Sequence, residues 1–196
     1  MNFNRNTIFF SIPKNFLLLS LLWLSTLSLT AQDNGKDLSI SLGASFGYAP
    51  TLNYGEREDA GNLISVFGEL QYQNIMGRLQ FSSALIESFD NKNLEGGSAI
   101  HGSIGYNVGI TNDLRLPLLL TGGAAFINYN NGFNGSSGNS FSDVSPQIGV
   151  TVAPYYEITD LVSIQAALRY LKGFTSGDEG EAIDLADIAI GIRLSF

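Results

Sequence analysis

The residues of this chain that could do chemistry fall on one phase of an alternating pattern. Glu69, Gln71, Arg78, Gln80, His101, Ser103, Glu157, Gln165, Arg169, Asp187 and Arg193 are set among alternating apolar residues. Successive side chains on a strand point to opposite faces. The polar residues therefore share one face, and the apolar ones take the other. Carboxylates and guanidinium groups crowded on one face must pair, because an isolated buried charge is expensive. Glu69 and Arg78 flank a turn expected at Asn74-Ile75-Met76, and their parity puts them on one face within diagonal reach. The pattern predicts an interior network of Glu69, Arg78, His101, Glu157, Arg169, Asp187 and Arg193. Packing that stabilises the fold is the simplest role for such a network.

Other chemistries find less support. Cysteine is absent, which removes disulfides, thiol nucleophiles and thiolate metal sites. Gly122-Gly123 sits in a strand pattern with no helix after it, so it is not a phosphate loop. Glu56, Glu58 and Asp59, and again Asp178, Glu179 and Glu181, are acidic clusters without a recognisable metal-ligand spacing. A solvated rim is the plainer reading, so neither a metal nor a cofactor is expected. Eight of the ten basic residues and all 18 acidic ones lie after Ala31, giving that part a net charge of −10. Nucleic acid is an unsuitable partner for such a surface.

The elements that must position these residues are strands. Alternation and turn signals predict eight, over 37–49, 63–74, 77–89, 98–110, 116–129, 145–158, 161–173 and 183–196. Most are longer than the ~5–6 residues usual in soluble sheets and suit a tilted membrane strand of ~9–11. In the last strand Ile188, Ile190, Ile192, Leu194 and Phe196 alternate with Ala189, Gly191, Arg193 and Ser195. The phase of 116–129 is blurred by Leu118, Leu119 and Leu120. Short turns alternate with longer, wetter loops at 50–62, 90–97, 130–144 and 174–182. Short turns on one side and long loops on the other is the plan of a transmembrane barrel. Aromatics sort to both strand ends: Phe46, Tyr48, Phe89, Phe126, Tyr129, Tyr170 and Phe174 by the loops, Tyr72, Tyr106, Tyr155, Tyr156 and Phe196 by the turns. Rings with a polar tip favour the lipid–water interface. The fold class expected is all-β, an eight-stranded antiparallel up-and-down transmembrane β-barrel. A soluble barrel or sandwich would carry more charge on its polar faces than the Ser, Gly, Ala and Gln found here.

Residues 1–31 read as a signal peptide: Arg5 and Lys14, a leucine-rich run over Phe16 to Leu29, then Leu29-Thr30-Ala31 before Gln32. The run is short of the ~20 apolar residues of a spanning helix. The barrel domain is expected over 32–196.

With its strands placed, the chain resembles the small eight-stranded outer-membrane β-barrel proteins of the OmpA/OmpX type. The most specific element is Gly191-Ile192-Arg193-Leu194-Ser195-Phe196. It is similar to the C-terminal strand that the barrel-assembly machinery reads, with Ile192, Leu194 and Phe196 as the signal. The resemblance implies export, insertion by that machinery, and outer-membrane lipid and lipopolysaccharide as surroundings. Fold does not settle activity. The expected role is non-enzymatic, structural or through an external ligand at loops 50–62, 90–97, 130–144 and 174–182. The alternative is a narrow channel for small polar solutes. It rests on the small inward residues Ser39, Ser41, Gly43, Ser45, Ala84, Gly105, Gly149, Thr151, Ala153, Ala167, Ala189 and Gly191, which suggest a water-filled lumen. A lipid-modifying enzyme is the weakest option. His101-Gly102-Ser103 resembles the His-x-Ser pair of lipid A deacylases, but here the pair shares the inward phase and Ile104 stands where that family has Asn.

A folded barrel should fractionate with the outer membrane and migrate differently on a gel before and after boiling. A soluble periplasmic protein would appear in the aqueous fraction with no shift.

Overall fold

The computed structural model describes residues 38–54, 57–85, 94–130, 140–174 and 182–196. The expected signal peptide lies outside the described residues. Nine strand segments follow one another: β1 (Leu38–Tyr54), β2 (Arg57–Tyr72), β3 (Ile75–Leu85), β4 (Leu94–Gly109), β5 (Leu114–Asn130), β6 (Ser140–Val152), β7 (Tyr155–Glu157), β8 (Val162–Gly173) and β9 (Ile183–Ser195). Every pairing is antiparallel, and β1 pairs with β9. The sheet thereby closes on itself. β6 and β7 form one wall between β5 and β8, so the barrel has eight walls. Closure ends at the chain terminus, where Phe196 N–H donates to the Ile40 carbonyl at 2.8 Å.

Burial alternates as the pattern requires. Leu79, Ile104 and Ile190 are 61%, 62% and 67% exposed, whereas Arg78, Ser163 and Arg169 are buried. An exterior of bare Leu, Ile, Val and aromatic side chains around a polar interior inverts a soluble protein. The closed ladder leaves no sheet edge in the band, which is what a hydrocarbon solvent demands.

Five expectations change. The wall expected over 145–158 is interrupted at Ala153-Pro154, because Pro154 has no N–H for the ladder. Alternation survives the break: Ala153 and Tyr155 are both buried. Tyr155 therefore leaves the expected aromatic girdle for the lumen, while its neighbour Tyr156 stays outside. The leucine run takes ordinary strand phase, Leu118 and Leu120 outward and Leu119 inward. Ladders also continue into the expected loops: β1 and β2 pair as far as Tyr54↔Arg57 past an irregularity near Ala49, and β5 and β6 as far as Asn130↔Ser140. Polar residues pair there as well as apolar ones, since the backbone carries the bonds.

The turn between β2 and β3 is Gln73-Asn74, one step earlier than expected. Gln73 adopts a φ of 54°, the left-handed region that a two-residue hairpin turn uses. That turn sets Tyr72 opposite Ile75 and thus Glu69 directly opposite Arg78, not diagonal to it.

Close strand approach explains one glycine sharply. A Cβ at Gly149 would lie 1.9 Å from the Tyr170 carbonyl oxygen, inside the β6–β8 ladder. Gly149→Ala should lower the urea midpoint of the vesicle-inserted protein by about 1–3 kcal/mol of stability. On the exterior, a Cβ at Gly102 meets nothing within 4 Å. Gly102→Ala should be neutral or stabilising by up to about 1 kcal/mol. Equal effects would contradict the register.

Candidate functional site

The lumen is the only place where the fold gathers ionisable side chains in a dry setting among the described residues, and it is built in tiers. On the turn side, Asn107 Nδ2 donates to Gln71 Oε1 at 2.8 Å and to the Tyr155 hydroxyl at 2.9 Å. Above it stands the central cluster. Arg78 donates Nε to Glu69 Oε1 at 2.7 Å and also reaches that oxygen through Nη2. Arg193 donates Nε to Glu69 Oε2 at 2.6 Å. One carboxylate thus serves two guanidinium groups, and all three side chains are at most 3% exposed. Arg78 Nη2 also donates to Gln165 Oε1 at 3.1 Å. Both guanidinium groups lie over aromatic faces, Arg78 over Phe67 at 4.6 Å and Arg193 over Tyr155 at 4.3 Å from ring centroid to Cζ. Such stacking adds attraction where water is excluded.

The next tier is a bidentate pair. Arg169 donates Nε and Nη2 to the two Asp187 oxygens at 2.7 and 2.8 Å. The residues are directly opposite on β8 and β9. Planar fork geometry makes this the strong form of an ion pair. Beside it, the His101 ring nitrogen Nε2 shares a hydrogen bond with Gln147 Oε1 at 2.8 Å. Gly123 lies directly across from it: a Cβ there would sit 2.1 Å from the Ile100 carbonyl oxygen and 2.8 Å from His101 Cδ2. Ser103, Thr121 and Thr151 form a hydroxyl ladder at 2.9 and 2.7 Å. The loop-side end of the interior is apolar instead, a cluster of Ala49, Leu63, Ala99, Ala125, Leu171, Ile183 and Leu185.

Of the seven residues expected in the network, Glu69, Arg78 and Arg193 form one cluster, and Arg169 with Asp187 a second. His101 bonds to an amide rather than to an ion. Glu157 is half-buried at the turn side, and its side chain contacts no charged partner among the described residues. Tyr155, Gln147 and Ser82 were not anticipated as members, although parity on their strands would have placed them inward.

The small inward residues do not leave the middle empty. A Cβ at Gly43 would lie 2.2 Å from Phe67 Cζ, so that glycine exists to admit an aromatic ring from β2. Met76, Leu119, Tyr155 and Leu171, all buried, fill further space between small neighbours. A cavity of about 240 Å³ opens at the turn-side mouth, lined by Ser39, Gln71, Arg115, Tyr155, Glu157, Asp160, Arg193 and Ser195.

His101 and Ser103 share the interior, and Ser103 bonds to Thr121 rather than to His101. Ile192, Leu194 and Phe196 lie on the exterior near the turns. No group of three or more potential metal ligands occurs among the described residues.

An apolar exterior, a polar packed interior and, among the described residues, a sheet closed on itself are the architecture of a transmembrane β-barrel. Solved structures of this class share the fold. Neisserial surface protein A superposes with a TM-score of 0.65 at 13% identity, over 81% of this chain and 97% of that one. Ail, the attachment invasion locus protein of Yersinia pestis, gives 0.56 at 10% identity, over 82% and 100%. OprG of Pseudomonas aeruginosa gives 0.51 at 11% identity, over 82% and 97%. No family model matches the sequence, and no curated protein matches it.

Removing Glu69 leaves two buried guanidinium groups without their anion. Glu69→Ala should cost about 3–5 kcal/mol in urea unfolding from lipid vesicles. The double replacement Arg169→Met with Asp187→Leu should cost less than either single one, because it leaves no charge stranded. A loss under about 1 kcal/mol for Glu69→Ala would contradict a dry cluster.

Proposed function

We propose that this protein is a non-enzymatic outer-membrane barrel whose role is structural or exercised through its loops, not by conduction. What supports this reading is the packed interior: Glu69, Arg78, Arg193, Phe67, Arg169 and Asp187 are paired or packed inward with little exposure. Stability is the natural product of that arrangement, since eight strands enclose just enough room for side chains to fill. Catalysis on lipid is disfavoured, because His101 points away from the phase where a lipid substrate lies and is bound to Gln147.

Interaction falls to the loop side. Its expected segments carry Glu56, Glu58, Asp59, Asp90, Glu95, Asp143, Asp178, Glu179 and Glu181. A partner of positive charge suits that rim, and a polyanion does not. Ail has been seen with a heparin analogue, sucrose octasulfate; the acidity here argues for a different ligand. Outer-membrane lipid and lipopolysaccharide remain the proposed surroundings of the exterior. Ile192, Leu194 and Phe196 are proposed as the signal for the assembly machinery.

A narrow solute path is the second reading, favoured by two buried polar atoms without a hydrogen-bond partner among the described residues, His101 Nδ1 and Asn107 Oδ1. Water would satisfy both. Recordings on purified protein in planar bilayers separate the readings. The closed reading expects a silent membrane with rare, short openings at most; sustained discrete conductance steps would establish the path.

A further inference from the structure

The turn-side mouth is more than leftover space. It is a well lined by Arg193, and Arg193 belongs to the central cluster, which carries one more positive charge than negative because two guanidinium groups share Glu69. Arg193 spends Nε on Glu69 and Nη1 on Ser195, at 2.6 Å each. Its Nη2 makes no hydrogen bond to another described residue, and the side chain lines the well. A second cation, Arg115, stands half-buried on the wall without an ion pair of its own among the described residues. Two carboxylates, Glu157 and Asp160, line the same cavity and are also unpaired there. At about 240 Å³ the space exceeds the ~150 Å³ that accommodates a benzene-sized guest.

We propose that this well binds a small zwitterion of amino-acid to dipeptide size from the periplasmic side. Its carboxylate would meet Arg193 Nη2 and Arg115, and its ammonium Glu157 and Asp160. The cluster's surplus charge draws an anion, while the acidic wall repels a plain anion and selects one that also carries a cation. The Tyr155 ring under Arg193 holds the donor in place. Because the lumen is packed above this cluster, the site is a dead end, so binding here needs no transport.

The probe is L-alanyl-L-alanine, titrated into the refolded full-length chain in micelles while amide resonances of Arg115, Glu157 and Arg193 are followed. Saturable shifts at these three are expected. N-acetylation of the dipeptide removes its cation, and C-terminal amidation removes its anion. Each capped form should bind at least about tenfold more weakly, the worth of one charge-assisted contact. Arg115→Gln and Glu157→Gln, both at the mouth and outside the central cluster, should weaken the uncapped dipeptide about tenfold while the heat-dependent gel shift persists. Absence of saturable shifts, or capped forms that bind as well as the free dipeptide, would overturn the proposal.

Discussion

Lipid offers the backbone no hydrogen bonds. Every N–H and C=O in the hydrocarbon layer must find its partner within the protein, at several kcal/mol for each failure. For a chain made of alternating strands that requirement has one solution, a sheet whose last strand pairs with its first. The pairing of β1 with β9 is therefore the bond on which the rest depends. Once the ring is shut, pleating sends one side chain in and the next out, and the sorting of polar from apolar follows without further instruction. The nearest departure is at Pro154, where the ladder bends yet inward and outward phases continue because Pro117 and Ala166 still bond across the gap.

Inside, the constraint is volume rather than solvation alone. Eight walls leave too little width for large residues at every inward position, so large and small alternate across the tube. Gly43 faces Phe67, and Gly123 lies across from His101. The charged residues obey the same economy: Glu69 satisfies two guanidinium groups with its two oxygens, and Arg169 meets Asp187 as a fork. Packing and pairing together fill much of the middle, and a larger open volume lies where the walls meet the turn-side water. Structure and proposed role are linked at this point, since a filled interior would leave the ends to interact.

Much of this was legible in the sequence because the side-chain period of a strand is two. Parity alone put Arg169 and Asp187 on one face, and it separated Ile190 from Gly191. What it could not resolve were features that depend on a single residue of register or a single backbone angle. Placing the turn at Gln73-Asn74 rather than one residue later brings Glu69 directly across from Arg78. Tyr155 looked like a girdle aromatic because it lies beside Tyr156 at a strand end, yet neighbours on a strand face opposite ways. The run of small inward residues suggested a water-filled lumen; bulky inward residues such as Phe67 and Leu171 sit on other strands, and three-dimensional register is what matches Gly43 to Phe67. The leucine run was ambiguous for a related reason, as an inward Leu119 carries no polarity signal.

The sidedness of the barrel is the claim most directly open to measurement. The chain has no cysteine, so single cysteines at Ala166, Leu168, Ile190 and Ile192, and at Ala167 and Ala189, can each be probed alone. In the membrane-inserted protein, a thiol reagent dissolved in the lipid should modify the first four and spare the last two. Modification of the Ala167 and Ala189 positions with protection of Ile190 and Ile192 would mean that the faces are assigned the wrong way round.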